Sequence, residues 1–131
     1  MGQVTDEELL AEVARHWKHW ARHLGLESWR LFTKIDARLS KRNVLLEVQV
    51  DATGYLRATI LINNKAPAER YKDLAIDVVH ELLHIPLDKL DDVAWAAGKN
   101  WQTAYRQAEE GVIDFLAAAY YRLHEATECK E

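Results

Sequence analysis

Apolar residues recur at helical spacing near the start of the chain. Leu10, Val13, Trp17, Trp20 and Leu24 fall on one side of a helix whose other side carries Arg15, Lys18 and Arg22. Thr5 with Glu8 three positions on reads as a capping box that opens this helix, and Gly25 is its expected stop. The period then changes to two. Trp29, Leu31, Thr33 and Ile35 alternate with Arg30, Phe32, Lys34 and Asp36. Leu46, Val48 and Val50 alternate with Glu47, Gln49 and Asp51, and Leu56, Ala58, Ile60 and Ile62 with Arg57, Thr59 and Leu61. Three half-buried strands are expected. A turn around Thr53-Gly54 should join the last two as an antiparallel hairpin, and the polar stretch from Ser40 to Asn43 connects the first two.

After Pro67 helical spacing returns and runs to Ile85, where Pro86 is the expected stop. Leu74, Ala75, Ile76, Val78, Val79, Leu82 and Leu83 lie almost all round this segment, which marks a central, buried helix. From Leu87 to Glu131 the pattern is helical again, with a break expected near Gly98-Lys99-Asn100. Its last stretch carries Val112, Ile113, Leu116, Ala119, Tyr120 and Leu123. The fold class expected is α+β: an N-terminal helix, a three-stranded antiparallel sheet, a buried helix and C-terminal helices.

Composition narrows the setting. The 131 residues suit one domain spanning 1–131, and 49% hydrophobic with 29% charged residues rules out wholesale disorder. A net charge of -4 with a pI near 5.9 argues against a nucleic-acid partner, which needs a basic face to displace counterions. Cys129 is the only cysteine, so no intramolecular disulfide forms and a reducing compartment is expected. The polar, acidic start from Met1 to Glu8 is unlike a secretion signal, and no apolar run is long enough for a membrane span. The expectation is a soluble, cytoplasmic domain with no membrane partner.

The buried helix contains His80-Glu81-Leu82-Leu83-His84, an HExxH pattern. Residues four apart share a helix face, so both imidazoles can reach one metal ion, and Glu81 sits one step round as a candidate general base. Zinc suits imidazole and lowers the pKa of a bound water from about 15.7 to about 7. Such a pattern arises by chance in roughly two per cent of chains of this composition, so its context matters more than the match itself. Here three polar groups interrupt a helical stretch made mostly of Leu, Val, Ile and Ala. Left without partners, each would cost roughly 1–3 kcal/mol, and one metal would satisfy all of them.

A catalytic zinc usually has three protein ligands. The residues after His84 contain no third histidine, which excludes the HExxHxxGxxH arrangement. Asp88, Asp91 and Asp92 follow Pro86 closely and read as loop or helix-start residues, leaving Glu109 and Glu110 as the carboxylate candidates on a helix. Glu109 continues the apolar face of Val112, Ile113 and Leu116. Glu110 has Asp114 one turn later, placed to accept the free ring N–H of a ligating histidine. Glu110 is therefore favoured as the third ligand, with Glu109 as the alternative. Tyr105 and Arg106, about one turn earlier, are candidate oxyanion or substrate contacts. A substrate peptide could add to the third or another edge strand.

From Trp29 through the hairpin to HELLH, and on through Glu109-Glu110-Gly111-Val112-Ile113-Asp114, the chain resembles the small zincin-like metallopeptidases of phages and prophages. The resemblance covers nearly the whole chain, with HELLH as its specific motif, and the Glu110–Asp114 spacing is similar to the ExxxD signature of gluzincins. It implies one zinc per chain held by His80, His84 and Glu110, Glu81 as general base, a peptide or protein substrate, and the host cytoplasm as the compartment of a phage-encoded enzyme. Pro86 departs from many zincins by cutting short the expected active-site helix.

Other readings compete. His16, His19 and His23, with Glu12 one turn before, have chelating spacing on the first helix but flank its tryptophan face, as a solvated or partner-facing edge would. The five tryptophans, Trp95 and Trp101 among them, leave room for a homodimer. A protein-interaction module with a remnant or structural zinc, and a zinc hydrolase of a non-peptide bond, are the alternatives to a peptidase.

Overall fold

A computed structural model describes residues 4–51 and 56–128 of the chain, with the Thr53-Gly54 turn and Cys129 outside the described residues. The first helix, α1 (Asp6–His23), begins where the Glu8 N–H donates to Thr5 Oγ1 at 3.1 Å, and Asp6, Glu7 and Glu8 set negative charge against the positive end of the helix dipole. It ends at Leu24, followed by Gly25 at φ +72, a left-handed conformation that glycine adopts without steric penalty. Leu9, Val13, Trp20 and Ala21 are its buried face.

The three expected strands form as β1 (Arg30–Ile35), β2 (Leu46–Val50) and β3 (Arg57–Ile62), but the sheet is mixed and not antiparallel throughout. Its order is β1-β3-β2, with β1 parallel to β3 and β2 antiparallel to β3. The reason lies in the connection between β1 and β2. It is a 3₁₀ turn over Ala37–Arg42, capped by Asp36 and closed by Asn43 in the left-handed region. That crossover separates β1 and β2 far enough for β3 to slot between them. Ala58, Ile60 and Ile62 of β3 face the main core, while Leu61 alternates to the opposite face and is buried there, as is Leu39 of the turn.

Beyond β3, buried Asn63 ties the chain down: its amide donates to Val44 O at 2.9 Å and its carbonyl oxygen accepts from the Lys65 N–H at 2.8 Å. The Tyr71 hydroxyl adds a bond to Asn63 O at 2.6 Å. A 3₁₀ turn (Ala68–Tyr71) precedes α2 (Leu74–Ala97), so α2 starts later than the proline at 67 suggested.

Pro86 does not stop α2. The helix runs through it to Ala97 and ends at Gly98, whose φ of +128 no helix accommodates. An interior proline removes one backbone hydrogen bond and crowds the preceding turn. Packing offsets that loss: Val78, Val79, Leu82, Leu83 and Ile85 are all buried on one side, while Pro86 itself is exposed. A fully buried leucine such as Leu82 contributes about 1.5–3 kcal/mol. The break expected near Gly98 is present, and α3 (Lys99–Glu128) folds back along α2 with Ile113 and Ala117 buried between them. The molecule is thus α+β, and α2 lies at its centre, packed on α1, β2 and α3. No helix among the described residues is long and apolar enough to cross a membrane.

Candidate metal centre

His80 and His84 lie one turn apart on α2, and Glu109, Glu110 and Asp114 face them from α3. The two Nε2 atoms converge to 3.3 Å. The Glu110 carboxylate spans them, one oxygen 3.2 Å from Nε2 of His80 and the other 3.0 Å from Nε2 of His84. Each outer ring nitrogen has its own carboxylate: Nδ1 of His80 meets Asp114 at 2.9 Å, and Nδ1 of His84 meets Glu109 at 2.9 Å. An ionised carboxylate only accepts hydrogen bonds, so each Nδ1 donates to its acid, and a ring in its neutral form then turns its Nε2 lone pair inward. With both rings in that form, two lone pairs and a carboxylate point at one place with nothing to donate between them. Such a set is stable around a cation or a shared proton, and it fits a metal.

Ligand atoms of His80, Glu81 and His84 lie within 4.8 Å of one another, a cluster that could bind a metal, and the same holds for His80, Glu110 and Asp114. Glu81 belongs to the site but is held from the other side. The Val48 N–H donates to its Oε2 at 3.0 Å, which fixes the carboxyl against strand β2. Burial pushes its pKa up to about 8, and Glu110, Glu47 and Asp77 push the same way against the Val48 hydrogen bond.

The site opens into a cleft of about 520 Å³ between β2 and the α2–α3 pair. Leu46, Val48 and Val50 line one wall, and Asp88, Asp91 and Arg106 the other. The Asn63 N–H donates to Leu45 O at 2.9 Å and the Asp51 N–H to Arg57 O at 2.8 Å, so the backbones of alternate residues from 45 to 51 turn toward β3. Leu46, Val48 and Val50 therefore turn theirs to the free edge beside the cleft. The third strand was the first expected to receive a peptide; β3 is the central strand, and the edge beside the site is β2.

Glu110 and Asp114 stand where spacing put them, with Glu110 between the imidazoles and Asp114 behind His80. Glu109, the alternative ligand, is turned to the outer nitrogen of His84 and is buried, which gives it the role toward His84 that Asp114 has toward His80. Tyr105 does not reach the cleft: its hydroxyl donates to Leu87 O at 3.2 Å, and burial, followed by Glu109, pushes its pKa up to about 12. Arg106 does line the cleft but is held by both oxygens of Asp91 at 2.8 and 3.0 Å. Asp88 and Asp91, read from sequence as loop or helix-start residues, are on α2 because the helix continues past Pro86. Burial and then Asp92, Asp91 and Glu109 raise the Asp88 pKa, so this wall is electronegative. The Val48 N–H bond to Glu81 had no signal in the sequence, since nothing there says which strand abuts the helix.

On α1, His16 pairs with Glu12 at 3.1 Å, and the His19 and His23 rings lie 5.2 Å apart on the exposed side. No group of three or more potential ligands forms there among the described residues. Compared with protein-family models, curated proteins and solved structures, the chain gives no match.

Proposed function

We propose that this chain is a zinc-dependent peptidase in which His80, His84 and Glu110 hold the metal and Glu81 is the general base. One observation carries the reading: two inward-facing Nε2 atoms 3.3 Å apart share the Glu110 carboxylate, while each outer nitrogen is backed by a separate acid. A polar stripe meeting solvent has no need of a different carboxylate for every ring nitrogen; a metal site does, because the outer acids fix tautomer and orientation. Zinc is favoured over harder cations by the two imidazoles, and when bound it supplies a Lewis acid that activates water and polarises a carbonyl.

The chain's own residues supply the rest. Glu81, anchored through Oε2 to Val48, has Oε1 left to take a proton from water and return it to the departing nitrogen. The outer edge of β2 keeps the main-chain groups of Leu46 and Val50 and the Val48 carbonyl free of β3 beside the site, the Val48 N–H being held by Glu81, and this fits an extended peptide better than a small ester or amide. The resemblance to phage metallopeptidases supports a phage-encoded enzyme that acts in the host cytoplasm.

The test is metal content together with hydrolysis. Wild type purified from zinc-supplemented medium should carry about one zinc per chain, His80→Ala far less, and Glu81→Gln the full amount with no peptide cleavage. Glu109→Gln should weaken zinc affinity about 10–100-fold, less than the loss in Glu110→Ala. Equally low zinc in wild type and His80→Ala would end the metal reading. Zinc without cleavage of any peptide library would leave the interaction module, and cleavage confined to ester or amide panels the non-peptide hydrolase.

A further inference from the structure

The outer side of α3 is apolar where a surface helix is normally polar. Trp101, Val112 and Phe115 are 69%, 53% and 73% exposed, and Ala104, Ala108 and Gly111 are exposed among them. Trp101, Tyr105, Ala108, Val112, Phe115 and Ala119 follow one another at alternating intervals of four and three. That spacing keeps a seam on one helix face and lets a second helix interdigitate with it. No seam residue is charged. The charged residues of the same stretch are all engaged with α2: Arg106 with Asp91, Glu109 with His84, Glu110 with both histidines and Asp114 with His80.

Two occupants can be told apart on physical grounds. A helix that lies on a membrane carries lysine and arginine along its polar side; between Trp101 and Ala119 the polar side of α3 is turned to α2 and sets Glu109, Glu110 and Asp114 against Arg106, with Lys99 and Arg122 only at the two ends of the seam. A second copy fits better, because the seam is complementary to itself. Laid antiparallel, Trp101 faces Ala119 and Ala108 faces Val112, so bulk meets a small residue, while Tyr105 stays tied to Leu87 of α2. Gly111 adds an independent sign. A glycine inside a helix is costly relative to alanine, and nothing of this chain lies within 4 Å of where its Cβ would be. The missing side chain leaves room for the backbone of a second helix.

The area also suffices. With aromatic side chains of about 150–250 Å², Trp101 and Phe115 expose roughly 300 Å² together, and Val112 with the alanines brings the seam to about 500 Å². Two copies can then bury up to about 1,000 Å², the threshold for a specific interface. We propose that α3 pairs antiparallel with α3 of a second copy along Trp101 to Ala119, with Ala108 and Val112 at the centre of the contact and Phe115 beside them.

Sedimentation equilibrium of the full chain should show a dimer at micromolar concentration. Phe115→Glu and Ala108→Glu should each weaken it about 100-fold or more with an unchanged far-UV spectrum, since both side chains lie outside the core. Under mild oxidation the double variant Ala108→Cys/Val112→Cys should form a covalent dimer, and neither single variant should exceed the background from Cys129. A wild type monomeric at concentrations on the order of 100 μM overturns the proposal. So does a dimer indifferent to both glutamate variants, or Ala108→Cys alone cross-linking as well as the pair. Monomers that bind phosphatidylcholine vesicles through this face would overturn it in favour of a membrane.

Discussion

Glu81 is the side chain whose behaviour is most sharply constrained by its surroundings. Its unfolded value of 4.5 rises to about 8 in the folded, metal-free chain, chiefly through burial. A raised folded value means that the folded state holds the proton more tightly. The associated stability is complete below 4.5 and is lost as pH climbs through 8. Metal-free wild type should therefore lose up to a few kcal/mol between roughly pH 5 and 9 relative to Glu81→Gln, which keeps the acceptor for Val48 but cannot ionise. Urea unfolding of both proteins across that range checks this, and parallel curves would mean that Glu81 is solvated. At this scale much of the site was legible. HExxH spacing named the His80, Glu81 and His84 cluster, and the step of four from Glu110 to Asp114 pointed to two acids that meet His80. The partner of His84 is not legible as such: sequence shows that Glu109 and Glu110 are adjacent on a helix, not that they diverge to different nitrogens.

Elements were read well where a periodic pattern ends in a residue with only one reading, and less well where packing overrides a local preference. Thr5, Gly25 and Gly98 mark helix boundaries as expected. Pro86 does not, because its cost is local while the burial of Leu82, Leu83 and Ile85 belongs to the whole core. Pro86 is exposed on a helix that continues on both sides, so Pro86→Ala should restore a backbone donor for Leu82 O and stabilise the protein by about 1–3 kcal/mol. A shifted urea midpoint at constant slope is the expected result; no gain would mean that the backbone at this point is not regular helix. The extension past Pro86 also has a consequence for the site, since it carries Asp88 and Asp91 into the cleft wall and lets Asp91 hold Arg106.

For the molecule as a whole, the proposed metal lies between α2 and α3, so its binding stabilises the packing of α3 on the central helix. Stripping the metal with a chelator should lower the melting temperature, and added zinc should restore it in a concentration-dependent way. His80→Ala should melt near the stripped wild type and ignore added zinc. The sequence by itself determined the first helix, the three strands, the helical character of the chain beyond Leu74, the α+β class and the His80/Glu81/His84 cluster able to hold a metal. Those follow from spacing along one chain segment, where a period of two or 3.6 has a single geometric meaning. Only the tertiary structure decided that β3 lies between β1 and β2, that β2 is the edge beside Glu81, and that each acid of α3 meets a particular nitrogen of α2. These are contacts between segments far apart in the chain, and no local period encodes which of them will face each other.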